Sequence, residues 1–162
     1  MFEQYSERAR RVIFLTRLKA GRSGAAALDT AHLIEALILE DQGKFADAMG
    51  YPSEALGRSA TSPSRPSVPF FAPENASAIL LKLQLPPGEA IPDSVDMPMS
   101  PALKRAFAAA MALRTELHHK KVEPLHLLAA VLSEQSDHAS EALRASGLTR
   151  EAVLAAIKDA YQ

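Results

Sequence analysis

With 162 residues, of which 48% are hydrophobic and 23% charged, the chain is long enough for one well-packed domain or two small lobes sharing a core. Its formal charge of -1 lacks the basic excess of a nucleic-acid binder, so no nucleic-acid partner is expected. The absence of cysteine excludes disulfides, thiolate metal ligands and a cysteine nucleophile.

The N-terminus, Met1-Phe2-Glu3-Gln4-Tyr5-Ser6-Glu7-Arg8, is polar and has no apolar signal-peptide core, which sets the expectation of a cytoplasmic protein. Tyr5, Ala9, Val12, Ile13 and Thr16 then recur at helical spacing and predict an opening helix, with glycines at 21 and 24 as stop signals. Asp29-Thr30 is placed to cap a second helix whose Leu33, Ala36 and Leu37 share one face. A short third helix is expected to end at Gly50 and a fourth to start with Ser53 as its cap. Composition then changes: ten of the eleven prolines fall between Pro52 and Pro101, which rules out continuous helix there. Residues 59–73 read as an extended, mobile connection. The stretch Ala78-Ile79-Leu80-Leu81-Lys82-Leu83-Gln84-Leu85 is apolar enough to pack on the core, as a short strand or as a helical turn. It is also short and contains Lys82, and no run reaches the roughly 18 apolar residues of a membrane span, so no membrane is expected.

Beyond the prolines the pattern begins again. Ser100-Pro101-Ala102-Leu103-Lys104-Arg105-Ala106-Phe107 aligns with Ser6-Glu7-Arg8-Ala9-Arg10-Arg11-Val12-Ile13 at an offset of 94. The same offset brings Val122-Glu123-Pro124-Leu125-His126-Leu127-Leu128 onto Leu28-Asp29-Thr30-Ala31-His32-Leu33-Ile34. Three extra residues change it to 97, and Gly147-Leu148-Thr149-Arg150-Glu151 then meets Gly50-Tyr51-Pro52-Ser53-Glu54. In this second copy Ser100-Pro101 is an N-cap followed by proline at the first helical position, the His118-His119-Lys120-Lys121 cluster closes the helix, and Pro124 opens the next. Two copies of a four-helix unit are predicted.

Charge follows the same division. Residues 1–24 hold six basic and two acidic residues, and residues 100–121 hold five basic and one acidic; residues 25–57 hold one basic and six acidic. Basic strips on the two opening helices are therefore expected, set against the alternative of an ordinary solvated helix surface.

The string Met1-Phe2-Glu3-Gln4-Tyr5-Ser6-Glu7-Arg8-Ala9-Arg10-Arg11-Val12-Ile13, followed by Asp29-Thr30-Ala31-His32-Leu33-Ile34-Glu35-Ala36-Leu37, resembles the first N-terminal repeat of Clp-type AAA+ unfoldases, those of the ClpC type above all. Met97-Pro98-Met99-Ser100-Pro101-Ala102-Leu103-Lys104-Arg105 and His126-Leu127-Leu128-Ala129-Ala130-Val131-Leu132 are similar to the second. The resemblance covers nearly the whole chain except residues 58–96, where that family has a much shorter connection. It implies an all-α fold in which two pseudo-twofold-related four-helix repeats, residues 1–57 and 97–162, pack as one eight-helix domain around the proline-rich connection.

The resemblance further implies a non-enzymatic protein- or peptide-binding module whose partner is a polypeptide substrate, an adaptor or a Clp-type unfoldase, with no cofactor. Gly43-Lys44 is followed by Phe45, so the chain carries no phosphate-binding loop, and it reads as a stand-alone relative or an excised domain. Family members that bind phosphoarginine place a glutamate before the repeat histidine; Ala31 and Leu125 stand there, which argues against that ligand. The positions matching the family's docking surface between the opening helices are Phe2 and Arg10, with Met99 and Lys104. Tyr5 joins Phe2 and Met99 in an apolar groove flanked by Arg10 and Lys104. The alternatives are that the aromatics seal the core, or that the groove takes an acidic or peptide-like small molecule as a sensor or sequestering protein. The five histidines lack metal-ligand spacing, and His32 and His126, equivalent at two helix starts, read as structural with a ring nitrogen bonded locally. Glu35, Glu40 and Asp41 read as solvated, with no nucleophile or partner acid beside them. No catalytic residue is expected.

Overall fold

Ser6 accepts the backbone N–H of Ala9 (3.1 Å) and so satisfies one of the free donors that every helix start leaves, which fixes the beginning of α1 (Glu7–Arg22). In the computed structural model, residues 3–48, 69–83, 88–92, 95–134 and 137–160 are described. Chain order continues with α2 (Thr30–Asp41), a four-residue turn α3 (Phe45–Ala48), α4 (Pro73–Lys82), α5 (Pro101–Glu116), α6 (Pro124–Leu132), α7 (His138–Ala145) and α8 (Arg150–Ala160). Among the described residues there are thus seven helices of eight residues or more and one short turn, and no strand beyond two isolated bridges. The chain is all-α. The fourth helix expected from Ser53, with Gly50 before it, lies outside the described residues.

The predicted caps occur. Ser100 accepts from Leu103 (3.1 Å) with Pro101 at the first helical position, and Thr149 accepts from Ala152 (3.1 Å) at the start of α8. Each second helix begins with a reciprocal cap in which a histidine takes part. His32 Nδ1 accepts the Asp29 N–H (3.0 Å) and His126 Nδ1 the Glu123 N–H (2.8 Å). The structural role expected for both histidines is the one found.

Two short backbone pairings tie the copies together. Ser6 N–H donates to Val122 C=O (3.0 Å) and Val122 N–H to Gln4 C=O (2.7 Å). At the 94-residue offset, Ser100 N–H donates to Leu28 C=O (2.7 Å) and Leu28 N–H to Pro98 C=O (2.8 Å). The start of each opening helix is therefore bonded to the turn before the other copy's second helix. Between these ties, α1 lies on α2, α5 on α6, and α8 on α6. Leu15, Leu33, Ile34, Leu103, Leu127 and Ile157 are fully buried in one core, each removing apolar surface at about 25 cal/mol per Å².

The connection is more ordered than its prolines suggest. Ala76, Ile79 and Leu83 are buried at three- and four-residue spacing, so the segment left open between strand and helix is helix α4, with Pro73 where a missing N–H costs nothing. Phe70 and Phe71 donate their backbone N–H groups to the Asp41 carboxylate (2.7 and 2.9 Å), and the Gln42 side chain donates to Phe71 C=O (2.9 Å). Within the stretch read as an extended, mobile connection, Phe70 and Phe71 are thus bonded to the end of α2 and its cap, and Pro73 already opens α4. Further on, Ile91 N–H donates to Gly21 C=O (2.8 Å), and Arg17 Nη2 donates to the carbonyls of Pro92 (2.9 Å) and Val95 (2.6 Å). The connection thus returns along the C-terminal half of α1.

Candidate protein-binding face of the opening helices

The basic residues counted in the sequence turn out to have different fates. On α1, Arg8 Nε donates to Glu40 (2.8 Å) and Arg11 Nε to the same carboxylate (3.2 Å); Lys19 lies 3.6 Å from Glu35; Arg22 donates to Ala48 C=O (2.7 Å); and Arg17 holds the connection. Five of the six cations of residues 1–24 are used internally, against the acidic second helix or the chain that follows. Arg10 is exposed, and its side chain has no hydrogen bond or ion pair among the described residues. On α5, Arg105 pairs with Glu134 (2.8 Å), the 94-residue counterpart of Arg11 with Glu40, while Lys104, the counterpart of Arg10, is exposed and unpaired among the described residues. On the two opening helices the expected basic strips reduce to these two equivalent positions, because Arg8, Arg11, Lys19 and Arg105 face carboxylates and Arg17, Arg22 and Arg114 donate to backbone carbonyls.

The apolar candidates divide as well. Tyr5 is 3% exposed and stands edge-on to Phe107 of α5, ring centroids 6.3 Å apart, so it is a wall between the start of α1 and α5 rather than a contact surface. Burial also pushes its phenol pKa up. Met99 is half-buried and pairs through its backbone with Leu28, at the place in the second copy that Tyr5 holds in the first. Phe2 lies outside the described residues. No hydrogen bond or ring contact joins Arg10 to Lys104.

A small cavity of about 50 Å³ opens elsewhere, where α2 meets α6, lined by Arg8, Leu37, Asp41, Phe70, Phe71 and Leu125 among others. Sequence reasoning missed two buried acids here, of which Asp41 lines the cavity. Glu40 (2% exposed) and Asp41 (9%) were read as solvated, yet Glu40 holds Arg8 and Arg11 and Asp41 holds Phe70 and Phe71. Their only signal was the excess of six acidic residues over one basic in residues 25–57, beside the excess of six basic over two acidic in residues 1–24. Ala31 is buried and Leu125 lines the cavity, so neither repeat offers a carboxylate at that position.

Glu123, the cap of α6, has its pKa raised by burial, opposed by a hydrogen bond from Ser6 and by the Arg8 charge. His126 Nε2 lies 2.9 Å from His119 Nδ1; since His126 Nδ1 accepts from Glu123, Nε2 carries the proton and donates. Burial first, then His119 and Arg114, lowers the His126 pKa to about 4. His32 has no such neighbour, because Ala25 stands at the position of His119, and its Nε2 is buried without a partner. Its pKa is also lowered, chiefly by burial. Among the described residues no three potential ligands gather as a metal site, and no helix is long and apolar enough to cross a membrane.

This arrangement is found in known structures. The N-terminal domain of the chaperone ClpD from Arabidopsis thaliana matches with a TM-score of 0.60 and 25% identity over 96% of this chain and 93% of its own. A structure described as part of a malarial protein secretion system matches with a TM-score of 0.68 and 19% identity over 96% and 93%. The Hsp104 N-terminal domain from Candida albicans matches with a TM-score of 0.60 and 16% identity over 96% and 90%. No curated protein sequence matches. The model of the Clp repeat (R) N-terminal domain matches residues 76–161, from within α4 through the second copy. With more than half of its 162 residues matched, the chain belongs to the Clp repeat N-terminal domain family.

Proposed function

We propose that the chain is a non-enzymatic protein-binding module, which takes a polypeptide substrate, an adaptor or a Clp-type unfoldase on the face formed by its two opening helices. The observation that carries this reading is the pair Arg10 and Lys104. They are equivalent in the two copies and both exposed, and neither is spent on an internal partner, whereas five other cations of α1 are. Phe2 and Met99 supply the apolar part of the face, and Tyr5 backs it from below. In this reading residues 1–57 and 97–162 are two pseudo-twofold-related repeats joined by 58–96. The reciprocal backbone pairings at Val122 and Leu28 support that symmetry.

A small-molecule role is less well supported. The cavity at Arg8 is about 50 Å³, against about 300–1,000 Å³ for pockets that enclose drug-sized ligands. It also lies away from Arg10 and Lys104. The test is a pull-down from native lysate by the wild-type chain and by the Arg10→Ala/Lys104→Ala variant. The proposal expects an AAA+ unfoldase, its adaptor or a client with the wild type and loss of it with the variant. Recovery of none of these by the wild type overturns it.

A further inference from the structure

Resting on that reading, we propose that the binding face is lopsided. On the first copy only, Phe14 and Val95 form an apolar patch beside Arg10, and this patch takes a partner segment that carries a carboxylate next to a bulky apolar side chain.

Among the described residues three large hydrophobic side chains are exposed: Phe14 (53%), Val95 (47%) and Leu81. Two of them belong to one stripe. Arg10, Phe14, Arg17 and Gly21 follow one another at three- and four-residue spacing along α1, and so share a face. Val95 is brought to that stripe by its backbone, since Arg17 Nη2 holds its carbonyl.

The attachment of the connection is built rather than incidental. Arg17 also holds Pro92, and Gly21 C=O accepts from Ile91. A Cβ on Gly21 would lie 3.0 Å from Ile91 O, and one on Gly24 would lie 2.4 Å from Glu89 O. Only glycine lets the two backbones approach so closely.

The second copy is an internal control. At the 94-residue offset, Phe14, Arg17 and Gly21 become Ala108, Met111 and Thr115. Helix α5 forms as well as α1 without aromatic, clamp or glycine, so the fold does not require them. What remains common to both copies is the unpaired cation, Arg10 or Lys104. An exposed aromatic one turn from an uncompensated guanidinium favours an apolar side chain with an adjacent acid over a basic or purely polar segment. By carrying Val95 to this stripe, the connection lengthens the face.

The probe is a random 12-residue peptide library displayed on phage, panned against the full chain. The expected result is enrichment of peptides with Asp or Glu beside Leu, Ile, Phe or Trp. Their affinity should fall about tenfold in Phe14→Ala, and should fall in Val95→Ser and Arg17→Ala as well. Helical circular dichroism of each variant should match the wild type. Enrichment of non-acidic peptides, or no enrichment, overturns the proposal. Peptides that lose binding in Lys104→Ala but keep it in Phe14→Ala and Val95→Ser also overturn it while leaving the broader reading intact.

Discussion

The turn that follows each opening helix is closed by a residue at positive φ, Gly24 (φ 71°) in the first copy and His118 (φ 59°) in the second, and the surrounding hydrogen bonds match one for one. Gly24 N–H donates to Gly21 C=O and Ala25 N–H to Ala20 C=O; His118 donates to Thr115 and His119 to Arg114. The backbone is the same, but the neighbours are not. Over Gly24 lies the connection, with no space for a Cβ, whereas His118 is exposed. The turn framework is common to both aligned segments, but among the described residues the later part of the connection, residues 88–92 and Val95, is docked on the first opening helix. The first unit has accordingly exchanged side chains for close approach, and the second has kept them.

The largest expected contrast lies in the ion pairs. Arg8 and Glu40 are both buried, and Arg8→Ala would leave a carboxylate in the core with only Arg11 beside it. A loss of about 3 kcal/mol is expected in urea unfolding. In the second copy Ala102 stands at the position of Arg8, and Glu134 keeps only Arg105, the counterpart of Arg11; that arginine is largely exposed, and Arg105→Ala should leave the midpoint almost unchanged.

Acid should act next. His126 is depressed to about 4 in the folded chain from an ordinary value of 6.5, and His32 is shifted the same way. The unfolded chain therefore binds protons first as pH falls. The stability present above pH 6.5 is lost between 6.5 and about 4, by about 3 kcal/mol for His126 alone. Urea midpoints at pH 7 and pH 5 check the direction; a midpoint that rises on acidification contradicts it.

The turn substitutions come last. Gly24→Ala meets both a positive φ and the Glu89 carbonyl, and should cost about 2 kcal/mol. His118→Gly relieves the same backbone strain with nothing docked above it, and should stabilise by less than about 1 kcal/mol. Thermal melts of the two variants should therefore move in opposite directions.

Much of this framework was legible in the sequence. Ser100, Asp29, Thr149 and Pro101 are local signals, since a cap needs only its own helix, and all four act as read. What stayed hidden depends on contacts distant in the chain. Glu40 and Asp41 look solvated until Arg8, 32 residues earlier, and Phe70, 29 residues later, are brought to them. Among the candidate site residues, Arg10 and Lys104 were singled out through the family resemblance. Phe14 was not, because an aromatic in an amphipathic helix reads as core, and only its exposure separates it from Ile13 and Leu15.

The central claim is that the partner meets both opening helices but packs its apolar side chain on the first copy's helix alone. A photo-crosslinking amino acid placed at position 14 in one variant and at position 108 in another tests it most directly in native lysate. The account predicts a defined crosslinked AAA+ component, adaptor or client from position 14 and little from position 108. Equal yields, or crosslinks from position 108 alone, would contradict it.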